Sequence, residues 1–333
     1  MRTKKVDQVS AWTRLNPEER RTLLLNKGGE LAWKIARMVL LLCMSFIVLY
    51  PILYMISTSF RESADLYDPT VIWIPRNWTL ENFSMVMKTM EFWPTLLSTL
   101  RLSLVSTALN ISICAVAGYG FARFKFRFRN LAFACVLATI IIPPQNVSIP
   151  MYMQYVNFDF LGIGSLIGLF TGETMGVSLL DSELTIYIPA VLGQGFRAGL
   201  FVYIFRQFFR GMPRELEDAA YIDGCGIFQT FCRIMLPNAG SSILTCSLFS
   251  FVWYWNDYYT MSMYFNDPKT LSVSLAMLKD TLRGQGLDVY VNPYVIVTQI
   301  QAACLLTILP LLIMYIFLQR YFRESVERSG LVG

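Results

Sequence analysis

Histidine is absent from all 333 residues. The commonest general base and metal ligand is therefore missing. No lysine follows a glycine anywhere, so there is no Gly-x-x-x-x-Gly-Lys-Ser/Thr loop to cradle phosphates. The chain cannot hydrolyse ATP by that route alone. Charge is scarce as well: Asp, Glu, Lys and Arg make up 15% of the residues. The seven cysteines form no Cys-x-x-Cys pair and read as small packing residues, not as a disulfide framework. No period of 20–50 residues repeats, which argues against a solenoid.

What is abundant is apolar. Hydrophobic residues make up 55% of the chain and the mean hydropathy is +0.47, the signature of a polytopic membrane protein. Six runs approach the roughly 20 apolar residues that a bilayer requires. They are Met38–Ser59, Leu97–Phe121, Leu131–Met151, Ile186–Phe205, Ile243–Phe265 and Val295–Leu318. Basic residues set their direction. Arg123, Lys125, Arg127 and Arg129 follow the second run, and Arg206, Arg210, Arg214 and Arg233 follow the fourth. Arg320, Arg323 and Arg328 follow the sixth, and the first 37 residues are basic. The opposite loops are poorer in Lys and Arg. Both termini are therefore expected in the cytoplasm. Lipid explains the net charge of +5 without any nucleic acid.

Residues 1–37 read as a cytoplasmic tail, in which Pro17–Leu25 is either an amphipathic piece or a solvated arm. Residues 60–96, 157–185 and 266–293 lie outside. None has the length or strand alternation of a separate domain, so they read as caps or docking surfaces.

Between the fourth and fifth runs lies a polar island, Pro213–Pro237. Pro213 suits a first helical turn, and Glu215, Glu217 and Asp218 put negative charge where the helix dipole favours it. Leu216, Ala219 and Ala220 make a small, smooth face. Gly224 and Gly226 break the helix, Ile227–Met235 forms a second one, and Pro237 ends the unit. The expected product is a helix-turn-helix knob on the membrane surface.

This run resembles the "EAA" loop of ABC-importer permeases: Glu-Ala-Ala, three residues, Gly, nine residues, Ile, one residue, Leu-Pro. Ala219, Ala220, Gly224, Ile234, Leu236 and Pro237 fall at those spacings, with Asp218 in place of the usual Glu. Other stretches carry the likeness over roughly residues 38–322. Trp78–Phe83 is similar to "WTLENY", Ala117–Phe124 to "AGYAFARF", Trp255-Asn256-Asp257 to "WND/WNE" and Gln319–Phe322 to "QRYF". Ile142-Pro143-Pro144 and Ile149-Pro150 resemble the proline pairs of the third span. The chain thus resembles the carbohydrate-uptake branch of the type I (MetI-like) permeases, which includes the second maltose permease subunit.

The resemblance implies an all-α membrane protein with six spans and a cytoplasmic coupling helix, in a bacterial inner membrane. It divides the chain into a tail (1–37), a first span (38–59), an outer loop (60–96), a transmembrane type-1 domain (97–320, coupling loop 213–237) and a second tail (321–333). It implies a second homologous permease, two ATPase subunits that bind ATP and Mg, and an extracytoplasmic sugar-binding protein. The chain itself needs no cofactor and has no catalytic or metal site. Its work would be sugar uptake by ATP-driven alternating access. Contact with the ATPase is expected from Glu217, Asp218, Ala219, Ala220, Asp223, Gly224, Ile234, Leu236 and Pro237, with either Glu217 or Asp218 facing a basic residue.

The substrate path is sought among polar residues inside spans. Gln145 and Asn146 follow the Pro143-Pro144 break. Tyr254, Trp255, Asn256 and Asp257 belong to a cluster rich in aromatic rings, amides and hydroxyls, which either lines a cavity or forms an interfacial belt. Arg101 and Arg197 read as snorkelling, and Gly118 and Gly120 as close helix packing. The rival readings are an ATP-independent secondary transporter and a membrane-embedded enzyme using Asp218 and Asp223. The absence of histidine and of further inward carboxylates weighs against the enzyme.

Overall fold

A computed structural model describes residues 16–159, 176–267, 270–284 and 293–330. Residues 160–175 of the expected outer segment 157–185, the first 15 residues and the last three lie outside them. The described residues are helical, apart from turns and two isolated antiparallel bridges, Arg61–Trp78 and Phe158–Val177.

In chain order the helices are α1 (Pro17–Ser59), α2 (Glu81–Thr89), α3 (Phe92–Arg123), α4 (Arg129–Ile141), α5 (Gln145–Val156), α6 (Leu184–Val191) and α7 (Ala198–Gly211). There follow α8 (Glu215–Ile222), α9 (Ile227–Asn238), α10 (Gly240–Trp255), α11 (Tyr259–Tyr264), α12 (Leu271–Gly284) and α13 (Pro293–Gly330). The Pro17–Leu25 piece is the start of α1 and runs into the first span without a break.

Three helices are long and apolar enough to cross a membrane unbroken, within α1, α3 and α13. The other three expected spans are each interrupted. The third is α4 and α5, bent by 100° at Ile142–Pro144. Pro143 and Pro144 withhold two backbone N–H donors, which stops α4. The fourth is not one helix: α6 and α7 are separated by residues 192–197, with Gly193 and Arg197 at positive φ. The fifth stops at Trp255 and resumes at Tyr259, and α10 is bent by 78° from α9.

Helix α3 is the hub. Of its apolar window 44% is buried, against 6% for α1 and 17% for α13. It packs on α7, α10, α6, α12 and α2. Its buried stripe is small and polar, with Thr95, Thr99, Ser103, Thr107 and Asn110 at helical spacing. Small side chains let neighbouring helices approach closely in lipid. Thr99 Oγ1 accepts the N–H of Leu271 at 2.9 Å and so caps α12.

The outer segment after α1 is a built cap. Asn82, from the WTLENF run, donates to the carbonyls of Ser59 (3.0 Å) and Arg61 (2.8 Å) and accepts from Thr298 (3.1 Å). It thereby ties α1, α2 and α13 together. The buried Arg61 guanidinium donates to the carbonyls of Val71 and Ile72.

At Gly118 the helices α3 and α7 approach tightly. A Cβ there would lie 2.5 Å from Phe205 Cβ and 3.0 Å from the backbone N of Arg206. Gly120 is different: its nearest neighbour would be Phe124 at 3.9 Å, so only Gly118 is a packing glycine. Gly118→Val is expected to destabilise the fold by about 1–3 kcal/mol through overpacking. Gly120→Ala should be neutral or slightly stabilising. Thermal unfolding in detergent separates them; equal melting of Gly118→Val and wild type would contradict the packing assignment.

Candidate functional site: a surface knob and a cavity joined by two helices

The knob is α8 and α9. Helix α8 ends as a helix with glycine at its exit should: the N–H of Cys225 bonds the carbonyl of Ala220 (2.9 Å) and that of Gly224 bonds Tyr221 (3.1 Å). This double closure requires the residue after the cap to be left-handed, and Gly224 has φ +82°. Helix α9 contains a π-helical stretch, Phe231–Met235, just before Pro237. Proline removes a donor and crowds the carbonyl four residues earlier, and a wider turn relieves both.

Rings anchor the knob. Phe201, Phe205 and Phe209 recur every fourth residue on α7 and are fully buried against α3. Phe231 of α9 meets Tyr119 of α3 at 5.0 Å and Phe209 at 6.1 Å between centroids. Met235 is buried in the same cluster.

Charge adds a second fastening. Tyr119 donates its phenolic O–H to Glu217 Oε1 at 2.6 Å. Arg123 Nε lies 3.0 Å from Glu217 Oε2, both side chains almost wholly buried. Its N–H is not aimed at that oxygen, so the contact is an ion pair, not a hydrogen bond. Arg123 also donates to the Met212 carbonyl at 2.9 Å. Glu217 therefore does not face outward, as an ATPase contact would have to: the carboxylate is consumed within the chain. Ala220 is likewise buried. Asp218, Ala219, Asp223, Gly224 and Pro237 are exposed, and Ile234 and Leu236 are half-buried. Missed by the sequence reading is an apolar crown: Ile222 is 86% and Phe228 77% exposed, beside Leu216 and Ile227. An Ile-Phe pair straight after the Gly turn of a polar island was the available signal.

A cavity of about 430 Å³ opens where the broken spans meet. Its wall comprises Pro144, Val147 and Ser148 from the α4–α5 break, residues 193–200 from the α6–α7 break, and Tyr155, Tyr254 and Tyr264. Both backbone polar groups of Phe196, inside the second break, are satisfied by side chains. Asn110 Nδ2 donates to its carbonyl at 3.1 Å, and its N–H donates to Tyr254 Oη at 3.3 Å. Gly195 permits this approach, since a Cβ there would lie 2.7 Å from Tyr254 Oη and 2.8 Å from the Asn110 amide. Asn110 went unnoticed in the sequence, although a mid-span amide is itself a signal.

Of the six expected path residues, only Tyr254 lines the cavity. Gln145 and Asn146 are exposed, while their neighbours Pro144, Val147 and Ser148 form the wall. Trp255 is buried on another face, its indole N–H 3.3 Å from the Thr307 carbonyl in the core between α10 and α13. Asn256 spends its amide on the Val252 carbonyl of its own helix (2.9 Å). Asp257 is buried and accepts the Thr260 N–H at 3.0 Å, restarting the chain as α11. Neither reading of this cluster holds for all of it: one residue meets the cavity and the rest pack or cap. Arg101 does not snorkel freely. It pairs with Glu183, whose other oxygen accepts from Tyr187 at 2.8 Å. Arg197 lines the cavity, 5.8 Å from the Trp253 ring centroid.

The Glu217 fastening predicts a pairing effect. Arg123→Ala leaves a buried carboxylate without its cation, a loss of roughly 3–5 kcal/mol for a buried pair. The knob should loosen, and trypsin should cut at Arg214 and Arg233 several-fold faster in membranes. Arg123→Met combined with Glu217→Gln should restore most of the protection. Wild-type cleavage in Arg123→Ala would show that the pair does not hold the knob.

The family described as "Binding-protein-dependent transport system inner membrane component" matches residues 112–328. The arabinooligosaccharides transport system permease protein AraQ of Halalkalibacterium halodurans is 29% identical over 294 residues, covering 87% of this chain and 93% of that protein. The polygalacturonan/rhamnogalacturonan transport system permease protein YtcP of Bacillus subtilis is 25% identical, covering 88% and 96%. A crystal structure of a bacterial ABC transporter importing the acidic polysaccharide alginate contains a chain of the same fold, with TM-score 0.67, 19% identity, and coverage of 88% and 98%. The match spans well over half of the chain, and it belongs to the family of binding-protein-dependent transport system inner membrane components.

Proposed function

We propose that this chain is the permease subunit of an ABC importer that takes up a sugar or oligosaccharide. An extracytoplasmic binding protein delivers the sugar, and partner ATPase subunits, which hold ATP and Mg, drive alternating access. A second, homologous permease completes the pathway. Relatives that are sugar-transport permeases over nearly their whole length support the substrate class. Six spans with both termini in the cytoplasm is our reading of the basic residues that follow the second, fourth and sixth apolar runs; by length and apolarity alone the described residues hold three unbroken crossing helices and two bent pairs.

One observation carries the mechanism: the two helices that leave the knob also border the cavity. Helix α7 ends at Gly211, next to the knob, and begins at Ala198 in the cavity wall, about 21 Å away at the helical rise. Helix α10 begins at Gly240, directly after the knob, and reaches the cavity at Tyr254. A push on the knob therefore reaches the cavity through two stiff rods. The ATPase groove would receive Ile222 and Phe228, with Asp218 facing a basic residue. Glu217 acts inward, holding the knob to α3. The cavity's tyrosines and Gln194 offer ring faces and hydrogen bonds suited to a sugar, which has apolar C–H faces and a hydroxyl rim.

Asp218→Lys with Phe228→Ser should leave the protein in the membrane but uncouple it. Binding-protein-stimulated ATPase activity of the reconstituted importer is then expected to fall at least tenfold. Undiminished stimulation would remove the knob from coupling. Tyr254→Ala should lower uptake per inserted molecule by one to two decades, since Phe196 loses a buried partner worth about 1–3 kcal/mol. Trp255→Ala should mainly lower the amount inserted.

A further inference from the structure

We infer that the cavity between the interrupted spans is built for a sugar bearing a carboxylate, with Arg197 as the group that receives it. This rests on the reading of the cavity as part of the sugar path and narrows the substrate to uronate-containing saccharides.

The first observation is unbalanced charge. Among the described residues lining the cavity, Arg197 is the one cation, and there is no Asp or Glu. No carboxylate of the described residues stands within ion-pair distance of it. Arg101 supplies the contrast: it also lies in a span, but Glu183 neutralises it. Arg197 is exposed toward the cavity and leans over the Trp253 ring, but no counter-charge balances it within the described residues, and an anionic ligand supplies one.

The second observation is backbone direction. Arg197 is the residue before α7, a helix of 14 residues, and Ala198, Gly199 and Leu200 of its first turn line the same wall. The positive end of the helix dipole therefore adds to the guanidinium. Interrupted spans whose half-helix N-termini face an anionic substrate group are a recurrent transporter device. Arg197 itself has φ +53°, a backbone state that residues with a Cβ rarely hold and that concentrates at functional sites.

The third observation is an unused donor. Tyr155 is 2% exposed, it lines the cavity, and its hydroxyl has no hydrogen-bond partner among the described residues. A buried hydroxyl is ordinarily satisfied. A planar carboxylate suits Arg197, with two oxygens for a guanidinium fork, and keeps capacity for the Tyr155 hydroxyl once that buried group turns into the cavity. One positive side chain also matches one negative charge, which favours a carboxylate over a phosphate dianion. Neutral sugars would leave the cation uncompensated.

The test uses the complete importer in nanodiscs, without binding protein, so that only the membrane cavity is probed. The probes are a panel of di- and triuronides, their neutral methyl esters and a sugar phosphate, with binding followed calorimetrically. Wild type should bind the best acid about ten- to a hundredfold more tightly than its ester. Arg197→Gln should abolish that preference by weakening the acid alone, Arg197→Lys should restore part of it, and Tyr155→Phe should weaken the acid more than the ester. Unchanged melting temperatures show that the variants fold. Equal binding of acid and ester in wild type, or a preference that survives Arg197→Gln, overturns the inference while leaving the sugar path standing. Tighter binding of the sugar phosphate overturns the carboxylate assignment. Binding of no probe by wild type removes the sugar-path reading and the inference with it.

Discussion

A backbone N–H or C=O that faces hydrocarbon has no partner, and this constraint organises the whole molecule. Unbroken helices meet it by themselves. Wherever a helix stops at membrane depth, a polar side chain from another element must take over. Asn110 and Tyr254 do so for Phe196 and Asp257 for the start of α11, and in the outer segment Thr99 does the same for the start of α12. Arg61 and Asn82 do the same near the outer end of α1. The small polar stripe of α3 is thus the supply of partners for its neighbours' irregular backbone, which explains why the most buried helix is not the most hydrophobic one.

The same constraint separates what the sequence could disclose from what it could not. Long apolar runs and the spaced glycine and prolines of the knob are local signals, and they were legible. The Pro143-Pro144 break was legible because proline acts within its own turn. The α6–α7 break was not. Its glycines are individually weak signals, and what holds it open is Asn110 and Tyr254, distant in sequence. Face assignments failed for a related reason. Successive residues on a helix point about 100° apart, so Tyr254 reaches the cavity while Trp255 enters the opposite core. The serine and threonine hydroxyls of α10, on Ser241, Ser242, Thr245, Ser247 and Ser250, are spread around the helix, so no single polar stripe revealed the difference. Glu217 and Asp218 are the same case in charge: only Arg123 and Tyr119 decide which one turns inward.

Rigidity at the knob follows from combining unlike interactions. Aromatic packing between Tyr119, Phe209 and Phe231 resists separation but is tolerant of sliding. The charge-assisted hydrogen bond from Tyr119 to Glu217 is directional and resists sliding, and the Arg123 ion pair, shielded from water, adds attraction to it. Tyr119 belongs to both, since its ring packs on Phe231 while its hydroxyl holds Glu217. Displacing the knob must therefore move α3 and α7 with it or break both kinds of contact together.

That coupling has a geometric consequence for the cavity. Gly118 brings the backbone of α3 against Phe205 and Arg206, at the middle of α7, and Asn110 holds the backbone just ahead of its cavity end. Helices α3 and α7 are thus pinned at two levels and move as a pair. Helix α10 meets them at the cavity through Tyr254 and, near the knob, through the cluster containing Cys246. The compliant points are the Ile142–Pro144 turn and residues 192–197, where no intrahelical ladder resists bending. On the proposed coupling, motion arriving from the knob would be released where the cavity wall lacks helix, so the wall would change shape while the rods that drive it do not.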